Sequence, residues 1–374
     1  MVCDDQSKHG TALLCTDSFK GSATSLELVK TISDVLEHHH WKTISLPISD
    51  GGDGFLEAVL CAIQSAEART VTVTGPFPGI TAEAPYAVVS EAGATTVFLE
   101  MASVAGIILC KDLDPMRTTT FGLGELIRFV IAAEHPSRIH IGLGGSATND
   151  AGLGMLQALG AVISSADGEL PSPVTTGDAP SVTAVDLTPA IDAVRGVELI
   201  AVCDVSNPLA GPNGATHIYG PQKGVRDLAR MDAAIAQIGA LYGTSAAISE
   251  FPGAGAAGGL GAAVLALHGA IEPGSRALNT LLHLDDHVRE STLVITGEGK
   301  YDSQTANGKV VSAVQASCKA HGVACLVLCG CCDKCMEGPG VVSLTSRYDV
   351  DKCMRDTLAC VKETVEDMVQ NGQI

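Results

Sequence analysis

Residues 138–161 read RIHIGLGGSATNDAGLGMLQALGA, and this stretch holds the pattern that decides the fold. Residues 138–141 form a short apolar run typical of a β-strand, and residues 152–161 have the composition of a helix. The turn between them, residues 142–150, is rich in glycine. Glycine lets a backbone approach a ligand closely, and the N-terminus of a helix attracts anions. The stretch therefore predicts a strand–loop–helix unit of an α/β fold, with a phosphate or nucleotide site at the start of the helix.

The same alternation occurs at both ends of the chain. Strand, helix, strand and helix are predicted in turn at residues 11–15, 26–36, 43–47 and 55–65. Strand, helix and strand are predicted again at residues 292–296, 310–321 and 324–328. This order is typical of a parallel sheet covered by helices.

The middle of the chain begins differently, with alternating hydrophobic runs at residues 70–74, 82–89 and 95–99 that indicate antiparallel strands. A chain of 374 residues with 46% hydrophobic content can bury two cores. We therefore predict an α/β protein of two domains. Residues 1–68 plus 290–374 would form a Rossmann-like parallel-sheet domain, and residues 69–289 an inserted α/β domain with a mixed sheet.

Composition excludes several classes of function. A formal net charge of -19 and the lack of a Lys/Arg run argue against nucleic-acid binding, which needs a basic face. The longest apolar stretches, such as residues 259–267, are too short and too rich in glycine to cross a membrane. Thirteen cysteines without a recognisable leader indicate thiols in a reducing compartment. We expect a cytoplasmic protein, with an organelle not excluded.

Polar side chains follow the predicted strands at the points where open α/β sheets bind ligands. The candidates at these strand ends are Asp17, Ser18 and Lys20 after the first strand, Asp50 and Asp53 after the second, Asp204 after residues 197–202, and Glu298 and Asp302 after residues 292–296. Carboxylates in such turns could bind magnesium or act as a general base, and lysines could bind phosphate or a substrate carboxylate. The same residue types also cap helices and turns, so a structural role for each stays open.

The glycine-rich loops admit other functions. The pattern Gly142-x-Gly144-x-x-Ala147 and a second one at residues 253–258 fit a relaxed dinucleotide fingerprint, which would favour an NAD-dependent oxidoreductase. A Walker A motif is absent, and so is the Gly-x-Ser-x-Gly elbow of serine hydrolases. A galactokinase-like kinase and a non-catalytic metabolite-binding protein also remain possible. Cys332-x-x-Cys335 could hold zinc, although such sites usually combine two distant pairs.

Taken together, the motifs resemble those of the type I glycerate kinase family, and they occur in the same order. The matching stretches are DSFKGS at Asp17, DGGDG at Asp50, TTFGLGELI at Thr119, GLGGSATND at Gly142, CDVSNPLAGPNGA at Cys203, GPQKG at Gly220, GAGAAGGLG at Gly253 and TGEGKYDSQTANGK at Thr296. The chain departs from the family pattern at Ala151, Phe121 and Val310, and its cysteine-rich segment after Cys329 has no counterpart there.

The resemblance implies ATP-dependent, magnesium-assisted phosphorylation of D-glycerate in a cleft between the two domains, with the 2-position favoured over the 3-position. It leaves the oligomeric state open between monomer and homodimer. Combined with strand-end placement, it assigns the base to Asp204 and charge neutralisation to Lys20. The remaining assignments are nucleotide binding by Gly144, Gly145, Ser146, Thr148, Gly255, Gly297 and Glu298, substrate binding by Asp17, Ser18, Asn207 and Lys223, and magnesium binding by Asp50 and Asp302.

Overall fold

The computed structural model describes residues 10–49, 51–52, 54–91, 93–243, 247–274, 276–277, 282–302, 310–336 and 338–374. Asp50, a predicted magnesium ligand, lies outside the described residues. The strands are β1 (Thr11–Thr16), β2 (Lys42–Ser45), β3 (Ala66–Thr74), β4 (Thr81–Glu91), β5 (Ala94–Glu100), β6 (Arg138–Gly142), β7 (Val162–Ser165), β8 (Gly168–Glu169), β9 (Val182–Asp186), β10 (Glu198–Val202), β11 (Ala270–Glu272), β12 (Leu293–Gly297), β13 (Lys300–Tyr301), β14 (Ala324–Cys329), β15 (Cys331–Cys332) and β16 (Val341–Ser343).

The helices complete the layers on these sheets. They are α1 (Ser25–His38), α2 (Phe55–Ala62), α3 (Ala102–Ala105), α4 (Phe121–Glu134), α5 (Leu153–Ala158), α6 (Thr188–Ala193), α7 (Ala215–Lys223), α8 (Leu228–Leu241), α9 (Ala247–Glu250), α10 (Ala256–Ala266), α11 (Leu284–Arg289), α12 (Val310–His321), α13 (Val350–Arg355) and α14 (Thr357–Gln370). Within the described part of the chain, no helix is both long and apolar enough to span a membrane.

The chain divides into two compact units. Unit one comprises Met1–Asp50, Glu57–Ala62 and Gly274–Ile374, and unit two comprises Gly51–Leu56 and Ile63–Pro273. The main divisions therefore fall near residues 63 and 274, whereas the sequence analysis placed them at 69 and 290.

Unit one is built on a parallel sheet in the order β16-β14-β12-β1-β2. Counted along the chain, this is the 2-1-3-4-5 order of doubly wound folds of the flavodoxin type, and its switch point lies between β1 and β12. Side chains alternate along β1: Ala12 and Leu14 face a core with α1 and α14, and Leu13 and Cys15 face a core with α11 and α12. Helices thus cover both faces, as the apolar strand sequences require.

Unit two contains a mixed sheet in the order β11-β10-β6-β5-β4-β3. The strands β3, β4 and β5 pair antiparallel, whereas β5, β6, β10 and β11 pair parallel. One large core, with Leu123, Ile139 and Leu260 fully buried, fills the space between this sheet and its helices. The parallel sheet of unit one and the mixed sheet of unit two confirm the predicted fold class.

Candidate functional site

Three loops of unit two converge at the edge of the sheet where its parallel strands end. Gly142 of β6 lies in register with Glu100 of β5 and with Val202 of β10. The loops that follow β6 and β10 therefore start side by side, and the amide of Leu143 donates to the carbonyl of Val202 at 3.1 Å. Asp204 follows two residues after Val202, with its Oδ2 atom buried. This edge is where α/β sheets place ligands.

The third loop, residues 51–52, packs directly against the other two. The amide of Gly144 donates to the carbonyl of Gly51 at 3.0 Å. A Cβ atom on Gly144 would lie 2.1 Å from Cα of Gly52, and one on Gly51 would lie 2.6 Å from the carbonyl oxygen of Val202. No side chain fits at these contacts, so the glycines allow three backbones to meet at one edge.

Lys223 anchors the loop after β6 from inside unit two. It is the last residue of α7, only 2% exposed, and its Nζ donates to Oγ of Ser146 at 2.9 Å and to the carbonyl oxygen of Thr148 at 2.6 Å. Burial lowers the pKa of Lys223 to about 7, and the carboxyl group of Asp150 opposes this shift. The Lys223 amino group thus holds the loop, since its observed contacts are to protein atoms.

We predict that Lys223→Met abolishes a pH dependence of stability. Between about pH 7 and 10.5 the unfolded chain binds a proton at Lys223 that the folded chain does not, so the free energy of unfolding rises with pH. The wild-type rise should reach at most about 1.4 kcal/mol per pH unit, and the variant should lack it. Denaturant unfolding across this range measures the slopes, with exposed Lys30→Met as the control. Parallel curves for wild type and Lys223→Met would contradict the assignment.

Asp150 occupies the N-terminus of the helix after this loop. Its carboxylate accepts from the amides of Gly152 at 3.0 Å and Gly154 at 3.3 Å, and from the amide and hydroxyl of Thr120 at 3.0 and 2.8 Å. Burial raises the pKa of Asp150, and these hydrogen bonds oppose the rise. These amides at the start of the six-residue helix α5 are therefore occupied by a protein carboxylate, and phosphate binding by the loop before it stays a prediction.

The first turn of α10 supports the same loop through left-handed backbone. Ala257, Gly258 and Gly259 have φ angles of 53°, 71° and 97°. A Cβ atom on Gly258 would lie 2.1 Å from the carbonyl oxygen of Thr148, and the carbonyl of Gly258 accepts from the amide of Ala151 at 2.9 Å. The glycine-rich stretch therefore shapes the loop by close backbone packing.

Gly255 and Asn207, two further candidates, pack together near the loop after β10. The amide of Gly255 donates to the carbonyl of Asn207 at 3.0 Å. The side chain of Asn207 donates to the carbonyl of Asn213 at 2.8 Å and accepts from the hydroxyl of Tyr219 at 2.7 Å. Asn207 thus braces the segment that carries Asp204.

The other candidates lie at the switch point of unit one. Thr16 of β1 is in register with Gly297 of β12, and the amide of Asp17 donates to the carbonyl of Gly297 at 2.8 Å. The carboxylate of Asp17 accepts from the amide of Ser18 at 2.6 Å. A Cβ atom on Gly297 would lie 1.8 Å from the carbonyl oxygen of Leu328, so only glycine fits there. Strand order thus brings Asp17, Ser18 and Gly297 together.

Charged groups of both signs surround this edge of unit one. Lys20 is exposed and follows Ser18 by two residues, and Glu298, 8% exposed, follows Gly297. The side chain of Asp302 is 14% exposed and pairs with Nζ of Lys300 at 3.0 Å. Among the residues that the structure describes, no group of three His, Cys, Asp or Glu side chains could hold a metal. Magnesium bound to phosphates needs only one or two protein carboxylates, so Asp302 fits that role.

Glu100 lies at the same sheet edge, although the sequence patterns do not single it out. Glu100 ends β5 beside Gly142, and its carboxylate accepts from the amide of Leu56 at 2.7 Å. The sequence signal for Glu100 is its position, an acidic residue directly after the strand predicted at residues 95–99. Ala151, the departure from the family pattern, has a φ angle of 53°, a conformation that glycine adopts without strain.

A cavity of about 560 Å³ in unit two adjoins the turn after Lys223. Its lining includes Pro115, Met116, Gly224, Arg226 and Arg230. The volume lies in the range of small-molecule sites. The two arginines belong to no recognised motif, which is why the sequence did not single out this cavity.

Comparisons with known proteins bear on both units. The model of the glycerate kinase family matches residues 12–372. The chain is 36% identical over 318 residues to the glycerate 2-kinase of Escherichia coli strain K12, which covers 83% of this chain and 82% of that protein. It is 32% identical to the glycerate kinase of Bacillus subtilis strain 168, covering 94% of this chain and 97% of that one.

A crystal structure agrees with these sequence matches. The protein, from Salmonella typhimurium LT2, is provisionally assigned as glycerate kinase 2 and superposes with a TM-score of 0.76 at 30% identity, covering 97% of this chain and 99% of that one. The chain therefore belongs to the glycerate kinase family and is a phosphotransferase.

Proposed function

We propose that this kinase transfers the γ-phosphate of ATP to the 2-hydroxyl of D-glycerate, giving 2-phosphoglycerate and ADP. The observation that carries the proposal is the convergence of three loops, at residues 51–52, 142–148 and 203–207, at one sheet edge of unit two. The choice of the 2-hydroxyl is supported by the Escherichia coli relative, which is a glycerate 2-kinase.

Phosphoryl transfer depends mainly on positioning and charge neutralisation. We assign the phosphates to the backbone of Gly144 and Gly145 and to the residues Ser146 and Thr148. The buried Lys223 holds this loop in place through Oγ of Ser146 and the carbonyl of Thr148. Gly255, Gly297 and Glu298 complete the proposed nucleotide-binding set. Magnesium, when bound, would neutralise charge on the phosphates, and Asp302 with Asp50 would hold it.

The glycerate is assigned to the polar residues at the two strand ends. Asp17, Ser18 and Asn207 would orient its hydroxyls, and Lys20 would neutralise its carboxylate or the transferring group. Asp204 would accept the proton of the attacking hydroxyl. It follows β10, which ends beside β6, the strand from which the proposed phosphate loop starts.

A coupled ADP-release assay with D-glycerate, ATP and magnesium tests the proposal, and phosphorus NMR of the product identifies the phosphorylated position. We expect release of ADP that depends on D-glycerate, and a product phosphorylated at the 2-position. A 3-phosphoglycerate product would overturn the regiochemistry alone. Binding of ATP or glycerate by the folded protein without turnover would overturn the proposed activity.

Lys20→Ala should raise the KM for glycerate about 10–100-fold, because a hydrogen bond to a charged group is worth about 1.5–3 kcal/mol. The KM for ATP should change much less if Lys20 binds the glycerate carboxylate. Steady-state kinetics with each substrate varied in turn measures both. Lys30→Ala, an exposed lysine on α1, is the matched control. Unchanged KM values for both substrates in Lys20→Ala would show that Lys20 is an ordinary surface lysine.

A further inference from the structure

The cysteine-rich segment of unit one packs directly against the loop that carries Glu298. The short strand β15 pairs parallel with β13, with Lys300 opposite Cys331 and Tyr301 opposite Cys332. The amide of Gly330 donates to the carbonyl of Glu298 at 3.2 Å. The backbone amide of Cys331 donates to the carbonyl of Gly299 at 3.0 Å. A displacement of residues 329–332 is therefore transmitted to the loop at residues 297–302.

Two thiols of this segment are neighbours. Cys329 is fully buried in a small cluster with Tyr301 and Val327, and Cys332 packs against the same cluster from its half-buried position. Burial and, to a smaller extent, the neighbouring thiol of Cys332 raise the pKa of Cys329, as expected for two side chains at one cluster. Their Cys-x-x-Cys spacing is that of dithiols that interconvert with disulfides.

Closing a bond between these sulfurs would replace the contacts that both thiols now make. A disulfide holds its sulfurs about 2.05 Å apart, which is shorter than any thiol hydrogen bond. In the reduced state the thiol of Cys332 donates to the carbonyl of Asp333 at 3.3 Å, and that of Cys329 to the carbonyl of Val342 at 3.6 Å. Because a Cβ atom on Gly330 would lie 2.5 Å from the carbonyl oxygen of Gly299, the segment has little space to shift without moving the loop.

We propose that Cys329 and Cys332 are a reversible modification site, at which a small disulfide such as glutathione disulfide oxidises both thiols to a Cys329–Cys332 bond and lowers the kinase activity through the Glu298 loop. The loss of activity rests on the proposed function, whereas formation of the bond does not.

The exchange proceeds in two balanced steps. The half-buried Cys332 attacks first, as a thiolate, and breaks the small disulfide. One small thiol leaves with the proton of Cys332, and a mixed disulfide remains. Cys329 then attacks the sulfur of Cys332, and the second small thiol leaves with the proton of Cys329. Two protein thiols are oxidised, and one small disulfide is reduced to two thiols. Burial raises the pKa of Cys329 to about 12, so this thiol is almost entirely protonated near neutral pH and its attack is the slow step.

The test incubates the full-length reduced protein with glutathione disulfide, blocks the remaining thiols by alkylation and maps disulfides by peptide mass spectrometry. We expect a Cys329–Cys332 bond and a fall in kcat/KM of at least about tenfold, comparable to losing one hydrogen bond to a charged group. Dithiothreitol should restore both the thiols and the activity. Bonds confined to other pairs, such as Cys318–Cys325 or Cys353–Cys360, would overturn the proposal.

Two variants distinguish the effect of the Cys329–Cys332 bond from the effect of oxidation at other cysteines. Cys332→Ser should keep its activity under oxidation, whereas the matched control Cys331→Ser, which retains the pair, should lose it as the wild type does. Inactivation of Cys332→Ser by glutathione disulfide would overturn the proposal, as would full activity of wild-type protein that carries the mapped bond. If Cys332→Ser fails to fold, the peptide map of the oxidised wild type and the recovery of its activity with dithiothreitol test the proposal without the variant. A protein without kinase activity would still form the bond, so failure of the proposed function is distinguished from failure of this inference.

Discussion

Asp204→Asn should lower kcat about 10²–10⁴-fold, the effect of removing a general base. The substitution keeps the size of the side chain and removes its capacity to accept a proton. Asp204 follows β10 at the sheet edge where the loop after β6 begins, so its carboxylate is assigned to the attacking hydroxyl. The KM values should change little, because the loops that bind both substrates keep their backbone contacts. Steady-state kinetics in the coupled ADP assay measures this expectation.

Two controls show whether a loss of activity in Asp204→Asn has a catalytic cause. The exposed Ser206 lies in the same loop, and Ser206→Ala should leave kcat unchanged. Thermal unfolding should give similar midpoints for wild type and both variants. If raised magnesium concentration restores the activity of Asp204→Asn, the carboxylate serves as a metal ligand instead of the base. A wild-type kcat would remove Asp204 from both roles.

Gly258→Ala should reduce the free energy of unfolding by about 2–5 kcal/mol, the second large effect that we expect. About 1–2 kcal/mol arises from placing alanine at a φ angle of 71°, in the left-handed region. The rest, about 1–3 kcal/mol, arises from overpacking. The new Cβ atom would lie 2.1 Å from the carbonyl oxygen of Thr148 and 2.7 Å from Cα of Asn149, and neither backbone atom can rotate away.

The same substitution should impair catalysis, because the carbonyl of Thr148 is the acceptor that Lys223 holds at 2.6 Å. Gly196→Ala provides the matched control: Gly196 has a φ angle of 84°, and nothing lies within 4 Å of its added Cβ atom. It should lose only about 1–2 kcal/mol and keep its activity. Denaturant unfolding and kinetics of both variants measure the difference. Equal losses of stability would show that the contact with Thr148 contributes nothing.

Much of the fold could be predicted from local patterns. The antiparallel runs at residues 70–74, 82–89 and 95–99 lie within β3, β4 and β5, and the helix expected at residues 310–321 is α12. Such patterns depend on hydrophobic period and turn residues, which are local properties. The helix expected at residues 152–161 is shorter, because Gly152 has a φ angle of 77° and α5 ends at Ala158.

The candidate site could be predicted only in part. The sequence places Asp17 and Asp204 directly after apolar runs, and in the structure both follow parallel strands, whose carboxyl ends are where such sheets bind ligands. It could not identify the internal contacts of Lys223, because a turn lysine in the sequence is indistinguishable from a solvated one. The cleft between the domains and the roles assigned to the site residues stay predictions.

The sequence by itself determined the alternation of strands and helices, the positions of the glycine-rich turns and the carboxylates that follow the strands. Tertiary structure alone decided the 2-1-3-4-5 strand order of unit one, the carboxylate of Asp150 at the start of α5, and the burial of Lys223. The physical reason is distance along the chain: Lys223 and Thr148 are 75 residues apart, and only packing of the whole unit brings their polar atoms within hydrogen-bond reach.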